Sequence, residues 1–235
     1  MGAHALALQA AGAAVTIVAG RGRALRGMRI ARIPAVDSLH PAVLRDLAAL
    51  RRGEVAPAHA RLVARLIDAL HPIVRSADRV VVHNVLTMHF SLALSEAIAA
   101  LARRYRGRVI AWTHDIAWLD PRYAKERHPG DPWDIAARAI PNVRYVAVSE
   151  ERARQLAELT GMARRRITVV PNGIDLRARL GLSIAGGRLA QRLGLLEAEP
   201  LLLLPARLTR RKRIEVAIDA LHALRERHPR ATLVI

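Results

Sequence analysis

The stretch Tyr145–Asp175, YVAVSEERARQLAELTGMARRRITVVPNGID, carries the clearest fold signal in the chain. It predicts a strand that ends at Ser149, then a helix, then a second strand that runs into Pro171-Asn172-Gly173. Strands and helices in alternation are typical of a parallel sheet covered by helices. We therefore expect an α/β protein with a doubly wound parallel sheet.

A second stretch, Leu201–Ile218 (LLLLPARLTRRKRIEVAI), predicts an apolar strand, a basic turn and the start of an amphipathic helix. The turn contains Arg207 and Lys212. A helix start offers unpaired N–H groups and the positive end of its dipole, and two cations five residues apart can straddle a diphosphate. The pattern predicts a site for a nucleotide diphosphate, although a basic turn is also common on a plain solvated surface.

Together the two stretches resemble glycosyltransferase family 4, the retaining sugar-nucleotide enzymes of the GT-B type with two Rossmann-like domains. The shared features occur in the family's order: Val148-Ser149-Glu150 at a helix start, PNGID at Pro171–Asp175, and Arg207 with Lys212 as an R-x4-K pair. The resemblance implies an acceptor-side domain over residues 1–172 and a partial nucleotide-sugar-binding domain over residues 173–235. It also implies transfer without a metal or other cofactor.

The family pattern extends further than this sequence does. In the family, a strand and a glycine-rich loop precede the first helix, and Gly2-Ala3-His4 resembles the remnant of that loop, so Gly2 is a candidate donor-binding residue. A pair of glutamates that binds sugar and ribose hydroxyls in the family would fall after Ile235. We therefore expect a first domain that lacks its initial strand and a second domain that is incomplete.

The remaining elements follow from hydrophobic periodicity. Helices are predicted over Gly2–Ala11, within His40–Leu70 and over Ile214–Arg227. The apolar faces expected on two of them consist of Leu44, Leu47 and Leu50, and of Ile214, Ile218, Leu221 and Leu224. Further strands are predicted at Val15–Ala19, Val80–Val82, Val109–Thr113, Val143–Val148 and Leu201–Leu204, with another starting at Thr232.

Polar pairs follow two of the predicted strands. His114-Asp115 comes after Val109–Thr113, and His83-Asn84 comes after Val80–Val82. Open α/β sheets bind ligands at the carboxyl ends of their strands. The resemblance implies that His114 bonds the transferred sugar or its diphosphate and that Asp115 orients the sugar or contacts the acceptor. His83 and Asn84 are acceptor-side candidates, and each pair is also compatible with a simple turn.

Two further segments contain candidates. The loop Ala117–Asp134 is rich in proline, aspartate and aromatic residues, and we interpret it as an acceptor-side wall or lid with Asp120 and Arg122 as contacts, or as a plain surface loop. Asn172 and Gly173 lie at the domain crossover and are donor-binding candidates. A structural hinge is the simpler interpretation of these two residues, because glycine permits unusual backbone conformations.

Composition excludes several classes of protein. The 235 residues include no cysteine, which excludes disulfides and thiolate chemistry and suits the cytoplasm. The net charge of +18 arises almost entirely from arginine, and only 3% of residues are aromatic, so we do not expect nucleic-acid binding. We see no signal peptide and no apolar stretch long enough to cross a bilayer, but peripheral contact with an anionic inner membrane face stays open.

The resemblance implies a retaining hexosyltransferase, for example a mannosyl- or glucosyltransferase. The donor would be a nucleotide-diphosphate sugar and the acceptor a lipid-linked glycan or a polysaccharide. Arg207 and Lys212 would stabilise the leaving diphosphate, so no pair of glycosidase-type carboxylates is required. The alternatives are a related two-domain epimerase of UDP-N-acetylglucosamine, and a non-catalytic fragment or module that binds an anionic membrane or an acceptor.

Overall fold

The computed structural model describes residues 2–23, 27–173, 183–195 and 197–235. The chain divides into two compact units, Met1–Asn172 and Gly173–Ile235. Ile174 and Asp175, the last two residues of the PNGID stretch, lie outside the described residues. None of the described helices is long and apolar enough to span a membrane.

The first unit alternates helices and strands. In chain order these are α1 (Gly2–Ala10), β1 (Thr16–Ala19), β2 (Arg29–Arg32), α2 (Pro41–Leu50), α3 (Pro57–Ser76), β3 (Val80–His83), α4 (Leu92–Arg104), β4 (Val109–Thr113), β5 (Arg144–Ala147), α5 (Glu150–Thr160) and β6 (Ile167–Val169). Three short 3-10 helices, Ala117–Leu119, Pro121–Glu126 and Trp133–Ala137, connect β4 to β5.

All described strand pairs are parallel, which confirms the α/β class. Strands β3, β4, β5 and β6 form one sheet in that order, and β1 and β2 form a separate pair. Because parallel neighbours begin and end at the same edges, residues that follow β3 and β4 come together at one edge. Strand β2 was not predicted by the sequence analysis.

Helix starts follow from local capping chemistry. Ser149 accepts a hydrogen bond from the backbone N–H of Arg152 at 3.1 Å. Glu150 and Glu151 lie in the first turn of α5, where their negative charges interact favourably with the positive end of the helix dipole. Gly161 ends the helix in the left-handed conformation, with φ of 68°. The VSE signal of the sequence is therefore a helix cap directly after β5.

The core of the first unit lies between the helices and the four-stranded sheet. Helix α3 buries one stripe, and the stripe consists of His59, Leu62, Leu66, Leu70 and Val74. The predicted inward position of Leu44 on α2 is wrong, because Val43 is fully buried and Leu44 is 43% exposed. The inward face of α2 uses the spacing of Val43, Leu47 and Leu50.

The second unit contains a smaller parallel sheet. Its elements are α6 (Ile184–Arg192), β7 (Leu201–Leu203), α7 (Ile214–Arg225) and β8 (Thr232–Val234), and β7 pairs with β8. The predicted apolar face of α7 is only partly correct, because Ile218 is 51% exposed and no residue of that helix is buried. Leu203 on β7 is also exposed, so the described part of this unit buries few large apolar side chains.

Candidate active site

Four predicted residues meet at the carboxyl ends of β3 and β4. The register pairs His83 with Trp112, and the backbone N–H of Asn84 donates to the carbonyl of Trp112 at 2.9 Å. His114 and Asp115 are the first two residues after β4. We call His83, Asn84, His114 and Asp115 the strand-end cluster.

Asn84 organises the strand-end cluster. Its side-chain Oδ1 accepts hydrogen bonds from the backbone N–H groups of both His114 and Asp115, each at 2.9 Å, and its Nδ2 donates to Oδ2 of Asp115 at 3.1 Å. Asn84 has φ of 57°, a left-handed conformation that asparagine tolerates better than most residues. The side chain therefore fixes the turn that presents His114 and Asp115, a role that sequence reasoning did not assign.

A third histidine joins the cluster from α1. Nδ1 of His4 lies 3.1 Å from Nε2 of His83, and Nδ1 of His83 lies 3.2 Å from Nε2 of His114. The ring of His4 also packs on Trp112, with centroids 4.3 Å apart. We call His4, His83 and His114 the histidine row.

Burial favours the neutral form of His4 and His83 in the histidine row. Desolvation, aided by the charge of neighbouring His4, lowers the pKa of His83 to about 4. Desolvation also lowers the pKa of His4. A neutral imidazole can donate through one nitrogen and accept through the other, so each ring suits hydrogen bonding to hydroxyl or phosphoryl oxygens.

Charged and polar groups surround Asp115, which is itself exposed. The guanidinium of Arg152, in the first turn of α5, lies 3.7 Å from Oδ1 of Asp115. The hydroxyl of Thr87 donates to the backbone carbonyl of Asp115 at 2.7 Å. Arg152 was not predicted from the sequence, although its position three residues after the capping Ser149 places it at the same sheet edge.

The predicted acceptor-side contacts in the loop after β4 have a local structural role. Asp120 accepts a hydrogen bond from the backbone N–H of Arg122 at 3.0 Å and pairs with the Arg122 guanidinium, which also lies over the ring of Tyr123. These contacts cap the 3-10 helix Pro121–Glu126. The roles of Asp120 and Arg122 toward an acceptor stay predictions.

The same loop is also held in place by an ion-pair contact and by aromatic packing. Oε2 of Glu126 lies 2.9 Å from Nε2 of His89 and accepts a hydrogen bond from Nε of Arg51, also at 2.9 Å. His89 is buried against the rings of Phe90, Trp118 and Tyr123. Sequence reasoning missed this anchor, because its members come from the residue that follows α2, from the segment before α4 and from the loop.

The remaining candidates belong to other segments of the chain. Arg207 follows β7, and Lys212 ends the 3-10 helix that precedes α7. Both side chains are exposed, and no carboxylate in the described part of the chain pairs with either. Gly2 begins α1, two residues before His4. Asn172 and Gly173 are exposed after β6.

The expected conformational reason for a glycine at position 173 is wrong. Gly173 is not among the residues with positive φ, and a Cβ added there would meet no atom within 4 Å. The described backbone therefore imposes no special need for glycine at this position. Its proposed contact with a donor stays a prediction.

Comparison with protein families identifies the class of protein. The model of Glycosyltransferase Family 4 matches residues 3–178, a range that includes the strand-end cluster, His4 and Arg152. The match covers most of the chain, and the chain belongs to glycosyltransferase family 4. Arg207 and Lys212 lie beyond the matched range. No curated protein and no solved structure matches the chain.

Proposed function

We propose that the chain transfers a hexosyl group, such as mannosyl or glucosyl, from a nucleotide-diphosphate sugar to a hydroxyl of a lipid-linked glycan or a polysaccharide. The observation that carries the proposal is the strand-end cluster, which collects two imidazoles and a carboxylate at the ligand-binding edge of a parallel sheet. Membership of glycosyltransferase family 4 supports sugar transfer as the reaction.

Each residue of the strand-end cluster has a role that suits its chemistry. His114 offers a ring nitrogen to a sugar hydroxyl or to a phosphoryl oxygen of the donor. Asp115 is exposed and held by Asn84, so its carboxylate can accept a hydrogen bond from a sugar or acceptor hydroxyl. His83 holds the ring of His114 in place through the contact between its Nδ1 and Nε2 of His114. These contacts would orient the reacting groups, which is a large source of rate enhancement.

The reaction needs stabilisation of the leaving group more than it needs a strong base. The bond from the anomeric carbon to the diphosphate breaks with its electron pair, and the acceptor oxygen forms a new bond to that carbon on the same face. The acceptor proton passes to the departing phosphate oxygen. Arg207 and Lys212 would stabilise the negative charge on that phosphate.

The basic surface supports a secondary role in membrane attachment. Lysine and arginine number 38 against 20 acidic residues, so the chain would be attracted to an anionic lipid surface. Peripheral attachment of this kind would bring the enzyme to a lipid-linked acceptor. We propose it as an aid to the transfer reaction.

The test of the proposed function uses the full chain with a panel of uridine- and guanosine-diphosphate hexoses and simple glycoside acceptors. We expect transfer from at least one donor, with the donor's anomeric configuration kept in the product as measured by NMR. His114→Ala should reduce the rate at least tenfold, and His222→Ala, on the exposed side of α7, should not.

A second measurement separates the enzyme from a binding module. Binding to vesicles that contain phosphatidylglycerol, without binding of any nucleoside diphosphate and without transfer, would overturn the proposal in favour of the module. Inversion of the anomeric configuration would overturn the retaining reaction alone.

A further inference from the structure

The histidine row links the strand-end cluster to α1 through two contacts between ring nitrogens. His4 contributes Nδ1, His83 uses both of its nitrogens, and His114 contributes Nε2. In the part of the chain that the structure describes, Nε2 of His4 and Nδ1 of His114 have no hydrogen-bond partner, so they are the two ends of the row. The rings are aligned as a chain, and no three His, Asp or Glu side chains among the described residues are grouped to hold a metal ion.

If all three rings are neutral, counting protons limits the row to two arrangements. Each contact between nitrogens needs one proton, and three neutral imidazoles carry three protons, so one proton remains for an end of the row. In the first arrangement Nδ1 of His114 carries it, and both contacts point from His4 toward His114. In the second arrangement Nε2 of His4 carries it, both contacts point the other way, and Nδ1 of His114 is a bare acceptor.

The two arrangements interconvert by proton shifts along existing hydrogen bonds. When Nδ1 of His114 gains a proton, Nε2 of His114 passes its own to Nδ1 of His83. Nε2 of His83 then passes a proton to Nδ1 of His4, and Nε2 of His4 releases one. Each transfer between two rings breaks one N–H bond and forms another. The row takes one proton from water at the His114 end and returns one to water at the His4 end, so it is neutral before and after the exchange and carries one extra proton only between these two events.

We propose that the histidine row sets whether His114 donates or accepts a hydrogen bond at Nδ1, with His4 and His83 as positioning residues that act through His114. The inference rests on the proposed function for its ligand. A donor at Nδ1 suits a phosphoryl oxygen of the sugar nucleotide, and an acceptor suits a sugar hydroxyl. The row therefore lets His114 donate to a phosphoryl oxygen in the first arrangement and accept from a sugar hydroxyl in the second.

The groups around the row favour exchange between the two arrangements over a state in which the row keeps a positive charge. Desolvation lowers the pKa of His83 to about 4, so the middle ring does not hold a second proton near pH 7. The charged groups at the His114 end are Asp115 and Arg152, which pair with each other. At the His4 end the neighbouring ring is that of Trp112, which packs on His4 and His83.

The test is nuclear magnetic resonance of the full chain labelled with 15N at histidine. Couplings across the hydrogen bonds should link Nδ1 of His4 to Nε2 of His83, and Nδ1 of His83 to Nε2 of His114. The variant His4→Phe keeps an aromatic ring against Trp112 but has no ring nitrogen to contact Nε2 of His83. The Nδ1 and Nε2 resonances of His114 should then shift in opposite directions, which reports a changed tautomer population.

Two variants make this measurement specific. His4→Asn should restore the His114 resonances toward those of the wild type, because an amide can donate or accept in place of Nδ1. His71→Phe is the matched control, since it removes a half-buried imidazole whose one hydrogen bond to a described residue is to Tyr105, at 2.6 Å, and it should leave His114 unchanged. Absence of the couplings, or His114 resonances that do not respond to His4→Phe, would overturn the proposal.

Sugar transfer provides an independent readout. If transfer occurs, His4→Phe should lower kcat at least tenfold and shift its pH profile, and His4→Asn should recover most of that loss. If the couplings are present and no donor is used, the proposed function fails and the row stands. If transfer occurs and the couplings are absent, the row fails and the proposed function stands.

Discussion

Asn84 holds Asp115 at two points: Oδ1 of Asn84 accepts from the backbone N–H of Asp115 at 2.9 Å, and Nδ2 donates to Oδ2 of Asp115 at 3.1 Å. The same Oδ1 also accepts from the backbone N–H of His114. One amide thus positions both candidate reacting groups. Its left-handed backbone is a cost that these hydrogen bonds offset.

Asn84→Gly should lower both stability and sugar transfer. Glycine keeps the left-handed backbone but leaves two N–H groups without their acceptor, so we expect a loss of about 1–3 kcal/mol in the free energy of unfolding. Asn84→Ala should cost about 1–2 kcal/mol more, because alanine resists this conformation. Urea unfolding and kcat/KM measure the two effects.

Asn142 supplies the control for this substitution. It also has positive φ, 64°, but is exposed and makes no side-chain hydrogen bond in the described part of the chain. Asn142→Gly should leave stability and transfer unchanged, and Asn142→Ala should show the backbone cost alone. Equal losses at Asn84 and Asn142 would contradict the positioning role of Asn84.

Arg207→Ala and Lys212→Ala should each reduce kcat/KM by about 10²-fold to 10³-fold, because each removes a positive charge from the leaving diphosphate. The loss should appear with several donors that share the diphosphate. Arg227→Ala, which removes an exposed arginine after α7, should have little effect. Wild-type kinetics in both of the first two variants would refute their role.

His59 should make stability depend on pH. Burial alone would lower the pKa of His59, but the hydrogen bond to Asp46 and the negative charges of Asp46 and Glu96 outweigh it and raise the pKa to about 9. The unfolded chain releases this proton near pH 6.5. The contribution to stability is therefore fully present below pH 6.5 and is lost as the pH rises to about 9.

His59→Gln should remove this pH dependence. The free energy of unfolding of the wild type minus that of the variant should fall by about 1–3 kcal/mol between pH 6 and pH 9.5. The measurement is urea unfolding at a series of pH values. A difference that stays constant over this range would show that the imidazole is not charged in the folded protein.

Glu126→Gln should loosen the wall formed by the loop after β4. The substitution removes the carboxylate that lies beside buried His89 and bonds Arg51, so we expect a loss of about 1–3 kcal/mol in the free energy of unfolding. Trypsin should cut faster at the exposed Lys125 and Arg127. Glu54→Gln is the control, because Glu54 forms an exposed pair with Arg52 that contributes little. Unchanged cleavage in Glu126→Gln would show that the loop is held by apolar packing alone.

Several features of the fold could be predicted because their signals are local. Strand β4 has the predicted bounds, Val109–Thr113, and the Ser149 cap of α5 lies where the VSE signal placed it. Strand β2 was missed because its sequence, RIAR, has only two apolar residues between two arginines and resembles a surface segment. Leu44 was misplaced because several registers of a leucine-rich helix have similar periodicity.

The sequence by itself determined the α/β class, the parallel strands and the presence of polar residues at the ends of β3 and β4, because alternation, strand length and helix caps depend on neighbours along the chain. Only the tertiary structure decided that His4 joins His83 across 79 residues, that Asn84 bonds the backbone after β4, and that His59 lies between two carboxylates. The physical reason is that these contacts depend on which helix packs over which strand. Packing of this kind has no periodic signal in the sequence. It decides which polar groups are buried next to one another and therefore form hydrogen bonds together.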